Sequence, residues 1–192
     1  NIAGGTHHAF KDHGEAVCLL NDQAIAAHYL LDTQKASKIL IVDLDVHQGN
    51  GTAMLFKDNP HVFTFSMHGA KNYPFKKQRS DLDIGLENDT QDALYLEILK
   101  NTLPKLVTKV KPDFIFYLSG VDILASDKLG KLGCSLEGCM QRDRFVFESC
   151  KQANIPVQVS MGGGYSKDID VILEAHKNTF KAAQEVFFNK IF

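Results

Sequence analysis

Short apolar runs alternate with longer amphipathic ones along the 192 residues of the chain. Four runs rich in Val, Ile and Phe lie at 38–44 (KILIVDL), 62–67 (VFTFSM), 113–119 (DFIFYLS) and 156–161 (PVQVSM). They are too short for independent helices and predict β-strands. Between them, 3.6-residue periodicity predicts helices over 22–34, 90–110, 135–153 and 168–188. Asn21 or Asp22 can cap the first, Thr90 the second and Ser135 the third, and Pro104 should kink or divide the second. Strands alternating with helices imply right-handed βαβ crossovers and an α/β fold with a mostly parallel sheet covered on both faces. No internal repeat and no Pro/Gly/Ser-rich linker divides the sequence, so residues 1–192 read as a single domain.

In such sheets, ligands bind beyond the carboxyl ends of the strands. The first strand runs into Asp43-x-Asp45-x-His47-Gln-Gly-Asn50-Gly, and the second into Ser66 and His68. The third ends in Ser119-Gly-Val-Asp122, and the fourth in Gly162-Gly163-Gly164-Tyr165. Every strand end thus delivers polar or glycine-rich chemistry to the same edge.

Composition narrows what that edge can do. With 44% hydrophobic and 23% charged residues and a net charge of −2, the chain suits an ordinary globular domain. Acids and bases are interspersed, with no basic stripe for direct nucleic-acid binding. The longest apolar runs are strand-length, which gives no membrane-spanning candidate, and no signal-peptide pattern opens the chain. Four cysteines (Cys18, Cys134, Cys139, Cys150) form no CxxC pair, which reads as buried thiols of a cytoplasmic or nuclear protein. The chain opens with NIAGGTHHAF, motif-like residues already at position 4, and this suggests a missing N-terminal portion.

Asp45, His47 and Asp122 would make a three-ligand metal site, an arrangement that leaves a position open for water. Asp45 and His47, two apart, would share one face of an extended segment, with Asp43 one step deeper and suited to orienting another group. Taken singly, these residues have an ordinary reading as turn caps. Their convergence at successive strand ends argues for a site. The adjacent His7 and His8 can face a metal-bound water as acid–base partners, with Asp43 and Asn50 as candidate acceptors for their rings. Tyr165, after three glycines, could donate to a developing oxyanion. GNG at 49–51 is only half of a dinucleotide fingerprint, and no P-loop spacing follows the glycines.

Together and in order, GGTHHA, DLDVHQGNG, SGVD and GGGY resemble the histone deacetylase superfamily, which shares its fold with arginase. The resemblance runs from Gly4 to Tyr165. Gln48 and the stretch SGVDILASDKLGKL are closer to the class IV branch and its bacterial relatives than to class I. It implies a three-layer αβα architecture, without the family's N-terminal strands, and Zn²⁺ or Fe²⁺ on Asp45, His47 and Asp122. His8 would be general base and acid leaning on Asn50. His7 would be an electrostatic partner oriented by Asp43, and Tyr165 would polarise the acyl carbonyl. A structural K⁺ would be held by the side chains of Asp43 and Ser66 and the backbone carbonyls of Asp45, His47 and Met67. Ala16, Val17, Tyr73, Gly163 and Gly164 would line an acyl-lysine tunnel. Ala16-Val17 stands where the family usually reads Gly-Phe, so one aromatic wall should be missing. The implied activity is removal of acetyl or longer acyl groups from lysine side chains of a peptide or protein. An acetylpolyamine-type small-amine deacetylase and a non-catalytic metal-binding remnant are the alternatives.

Overall fold

The computed structural model describes residues 1 and 4–188. Its element order is α1 (Asp22–Asp32), β1 (Ile39–Asp43), α2 (Asn50–Phe56), β2 (Val62–Gly69), β3 (Leu82–Leu86), α3 (Asp92–Val110), β4 (Phe114–Gly120), α4 (Leu136–Gln152), β5 (Val157–Gly162) and α5 (Ile169–Phe188). The strands form one sheet in the order β3-β2-β1-β4-β5, and every pairing is parallel. β1 is central and buried along its whole length, which is why its sequence does not alternate.

Alternate residues of each strand face opposite layers. Leu40, Val42, Phe65, Ile115 and Tyr117 join a large core with α3, α4 and α5. Ile39, Ile41, Val62 and Phe116 join a smaller one with α1 and Phe56 of α2. The α3 stripe of Tyr95, Leu96, Leu99, Leu103, Leu106 and Val110 has helical spacing and faces the sheet. The expected three-layer αβα arrangement is therefore present.

Four local expectations change. β3 has no counterpart in the sequence reading: it is a short edge strand, half-exposed and interrupted by Gly85, so it lacks an apolar run. α2 was also not expected, being only seven residues long and starting inside the polar motif itself. Its N-terminal Thr52 N–H is satisfied by the His7 carbonyl at 3.1 Å rather than by a capping side chain. Thr90 does not cap α3: its hydroxyl donates to the Glu87 carbonyl, and Gln91 holds the N-cap position without a side-chain bond. Pro104 does not divide α3, because it lies on the exposed side between the buried anchors Leu103 and Leu106. Asn21 and Ser135 do cap α1 and α4, accepting from Ala24 N and Gly138 N.

Candidate active site

β1 ends at Asp43, so Asp45 and His47 stand on a loop and not on an extended segment. Two successive side-chain-to-backbone turns build that loop. Asp43 Oδ1 accepts from Asp45 N at 3.1 Å, and Asp45 Oδ1 from His47 N at 2.9 Å. Asp122, beyond β4, fastens the loop from the other side through Oδ1, which accepts from Val46 N at 3.0 Å. Beneath both, the buried Arg142 of α4 donates Nη1 to the carbonyls of Leu44 and Gly120, at 3.2 and 2.6 Å. These are the carbonyls just before Asp45 and two residues before Asp122.

The result brings ligand atoms of Asp45, His47 and Asp122 within 4.8 Å of one another, all three residues buried. His47 Nδ1 lies 3.0 Å from Asp45 Oδ1 and 3.2 Å from Asp122 Oδ2. The second approach is an ion-pair contact only, and Asp122 Oδ2 is buried without a hydrogen bond. Burial and the Asp45 charge together push the Asp122 carboxyl well up. The imidazole of His47, with its pKa raised by Asp122 and Asp45 against the effect of burial, holds Asp45 low. A buried carboxylate oxygen without a hydrogen bond, beside a second carboxylate and an imidazole nitrogen, is a donor set a divalent cation can satisfy. Glycine is required here: a Cβ on Gly120 would stand 2.4 Å from Asp45 Oδ2. On Gly163, at φ +59°, it would stand 2.3 Å from Asp122 Oδ2.

The two neighbouring histidines differ. His7 Nδ1 lies 2.7 Å from Asp43 Oδ2; burial alone would lower its pKa, but the Asp43 carboxylate prevails and raises it to about 9. His8 Nδ1 lies 2.7 Å from Asn50 Oδ1, and burial together with the charge of His7 lowers its pKa to about 4. At neutral pH one ring is a cation and the other a free base. The ring of Tyr165 stands edge-on to His47, centroids 6.4 Å apart, and burial followed by the two acids raises its hydroxyl to about 12.

These groups open into a cavity of about 550 Å³. Of the expected tunnel residues, Ala16, Val17, Tyr73 and Gly163 line it. Gly164 does not; it packs toward Ile172 and Val121, where a Cβ would clash. Tyr73 lies edge-on to His8 at 5.1 Å. Val17 is 88% exposed at the tip of a tight turn, where Cys18 N donates to the Glu15 carbonyl and Ala16 takes φ +52°. Ser66 is the β2 register partner of Asp43, and its hydroxyl contacts His68 Nδ1 at 2.9 Å. The sequence reading missed Glu15, Arg142, Phe75 and the rim lysines Lys71 and Lys131, none of which lies in a strand-end motif. Glu15, next to Ala16, and Phe75, two residues beyond Tyr73, had a signal nearby.

Residues 1–182 match the histone deacetylase domain, and the chain belongs to that family. It is 49% identical over 187 residues to an uncharacterized protein of Picosynechococcus, covering 97% of this chain and 62% of the relative. It is 32% identical over 170 residues to histone deacetylase 2 of Arabidopsis thaliana, covering 87% and 44%. The solved structure of acetylpolyamine aminohydrolase from Burkholderia pseudomallei superposes with a TM-score of 0.80 at 20% identity, over 94% of this chain and 54% of that one. The chain thus spans between 44% and 62% of these proteins' lengths.

Proposed function

We propose that this chain carries the catalytic site of a metal-dependent amidohydrolase that removes acetyl or longer acyl groups from lysine side chains. The observation that carries the reading is the convergence of buried Asp45, His47 and Asp122, whose Oδ2 makes no hydrogen bond, beside one cationic and one neutral histidine. Asp45, His47 and Asp122 would hold Zn²⁺, with Fe²⁺ as the competing ion. When bound, the ion supplies Lewis-acid polarisation of the acyl carbonyl and activation of water. His8, neutral and open at Nε2, takes the water proton. The Tyr165 hydroxyl donates to the carbonyl oxygen as negative charge develops there. His7, held protonated by Asp43, stabilises that charge, and the histidine pair returns a proton to the leaving amine. Asp43, Ser66 and the carbonyls of Asp45, His47 and Met67 would hold K⁺ behind the site.

A small acylated amine is the second reading, supported by the open, solvent-facing Val17 wall, which grips a long chain poorly. Lys71, paired with Glu87, and Lys131 stand at the rim and do not favour a polycationic amine. The test is a panel of acyl-lysine peptides of increasing acyl length beside an acetylated polyamine, with zinc or ferrous iron supplied. Hydrolysis of the peptides in preference to the polyamine is expected. Stoichiometric metal binding with no hydrolysis of any member would instead identify a non-catalytic member of the fold.

A further inference from the structure

We propose that Glu15 is a positioning residue that decides which nitrogen of His8 carries the proton, and that it joins this choice to the tunnel wall at Tyr73. Its catalytic consequence rests on the amidohydrolase reading above; the proton position itself does not.

The argument follows hydrogen-bond capacity. A carboxylate only accepts. Glu15 Oε1 lies 2.6 Å from the Asn50 side-chain amide and 2.5 Å from the Tyr73 hydroxyl. The Asn50 atom facing Glu15 must therefore be the NH₂ group, which turns Oδ1 toward His8. Oδ1, in turn, only accepts, so His8 Nδ1, at 2.7 Å, must carry the hydrogen. Nε2 is then left with its lone pair, the form a general base needs.

Asn50 alone could not make this selection. Rotating its amide by a half-turn would present NH₂ to His8 and favour the opposite tautomer, with Nε2 protonated and unable to accept. An aspartate at position 50 would need no such help, because both its oxygens accept. Glu15 removes the ambiguity that asparagine introduces. The carboxylate is well placed to do so. Its backbone N–H and C=O both pair with Cys18, at 3.0 and 2.9 Å, which anchors it on the tight turn at the cavity edge. The Tyr73 hydroxyl bond, foremost, holds the Glu15 carboxyl below its usual range and so in its accepting form. The Tyr73 ring also packs edge-on to His8, so one carboxylate sets both the base and the wall beside it.

The test is nitrogen-15 NMR of the His8 ring in the metal-free full chain at neutral pH, the signal assigned by its loss in His8→Phe. The wild type should show a single tautomer protonated at Nδ1. Glu15→Ala should populate both tautomers, and Glu15→Met, closer in volume, is the second variant should alanine not fold. Adding Asn50→Asp to either should restore the single tautomer, a rescue that a merely structural role would not give. An unchanged single Nδ1–H tautomer in the Glu15 variants would overturn the proposal, as would failure of Asn50→Asp to restore it. In the zinc-loaded chain, Glu15→Ala should lower kcat on an acetyl-lysine peptide about tenfold through His8 and raise KM through the loosened Tyr73 wall. If the tautomer responds while the wild type hydrolyses no acyl amine, the role of Glu15 stands and the functional reading falls. If the wild type hydrolyses and the tautomer does not respond, the reverse holds.

Discussion

Asp43, Asp45 and Asp122 each hold a backbone amide with one oxygen, at Asp45, His47 and Val46 in turn. The turn-capping reading of these residues holds and leaves the proposed ligand role open to them, because a carboxylate has two oxygens and one is enough to cap the backbone. Tyr165 has no comparable structural duty for its hydroxyl, so Tyr165→Phe should leave zinc stoichiometry intact. It should lower turnover about a hundredfold, measured as kcat on an acetyl-lysine peptide. Ala16 is a different case. Its φ of +52° is strained for a residue with a Cβ, in a turn whose tip carries the exposed Val17. Ala16→Gly should relieve that strain and stabilise the fold by about 0.5–1 kcal/mol, after allowing for the greater freedom of glycine in the unfolded chain. A thermal melt would register the gain.

Among the elements, α4 does most to support the site. Arg142 Nε bonds Asp143 Oδ1 at 2.9 Å, Asp143 accepts from the hydroxyls of Tyr117 and Thr179, and Arg142 Nη1 reaches the Leu44 and Gly120 carbonyls under the loops that carry Asp45 and Asp122. This joins α4, α5 and the ends of β1 and β4 in one buried network. Arg142→Ala would leave Asp143 without its ion-pair partner and two carbonyls without a donor. It should cost about 3–5 kcal/mol in denaturant unfolding. On the opposite side of the sheet, Asp113 ties the β4 entry to the β1 entry by accepting from Ser37 N, Ser37 Oγ and Lys38 N. Burial is the largest single influence and raises its pKa, but those bonds together outweigh it, and the net shift is downward. A carboxyl depressed on folding stabilises above its unfolded pKa, about 3.9, and loses that contribution as pH falls through the lower folded value. The melting temperature of Asp113→Ala should therefore lie below that of the parent at neutral pH and converge with it in strong acid.

For the molecule as a whole, a metal at Asp45, His47 and Asp122 would link the ends of two central neighbouring strands, β1 and β4. Two buried carboxylates lie close together there, so binding of a cation should stabilise the folded state selectively. Zinc at about a hundred times its Kd should add about 2.7 kcal/mol. That is a rise in Tm of roughly 5–10 °C for a chain of this size. A chelator should reverse it, and Asp122→Ala should abolish it; an Asp122→Ala chain that still binds stoichiometric zinc would overturn the ligand set. No helix among the described residues is long and apolar enough to cross a membrane. All four cysteines are buried thiols.

Much of this was legible in one dimension. A strand buried on both faces must be continuously apolar, and parallel strands must end on one edge. KILIVDLDVHQGNG therefore announced both the central position of β1 and the polar site beyond it. The position of the edge strand β3 was not legible, since a half-exposed strand can be written in mixed residues. Nor was α2, whose first turn is held by a carbonyl from residue 7. The site divides in the same way. Its ligands and histidines lie in motifs because each must follow a strand end or its glycine turn. Their supports do not: Glu15 reaches Asn50 across 35 positions, and Arg142 reaches Leu44 across 98. Local sequence determined which groups meet at the strand ends, because strand period and turn chemistry act over a few residues. Only the tertiary structure decided how each group is oriented and protonated, because hydrogen-bond partners and burial come from whatever the fold packs beside it.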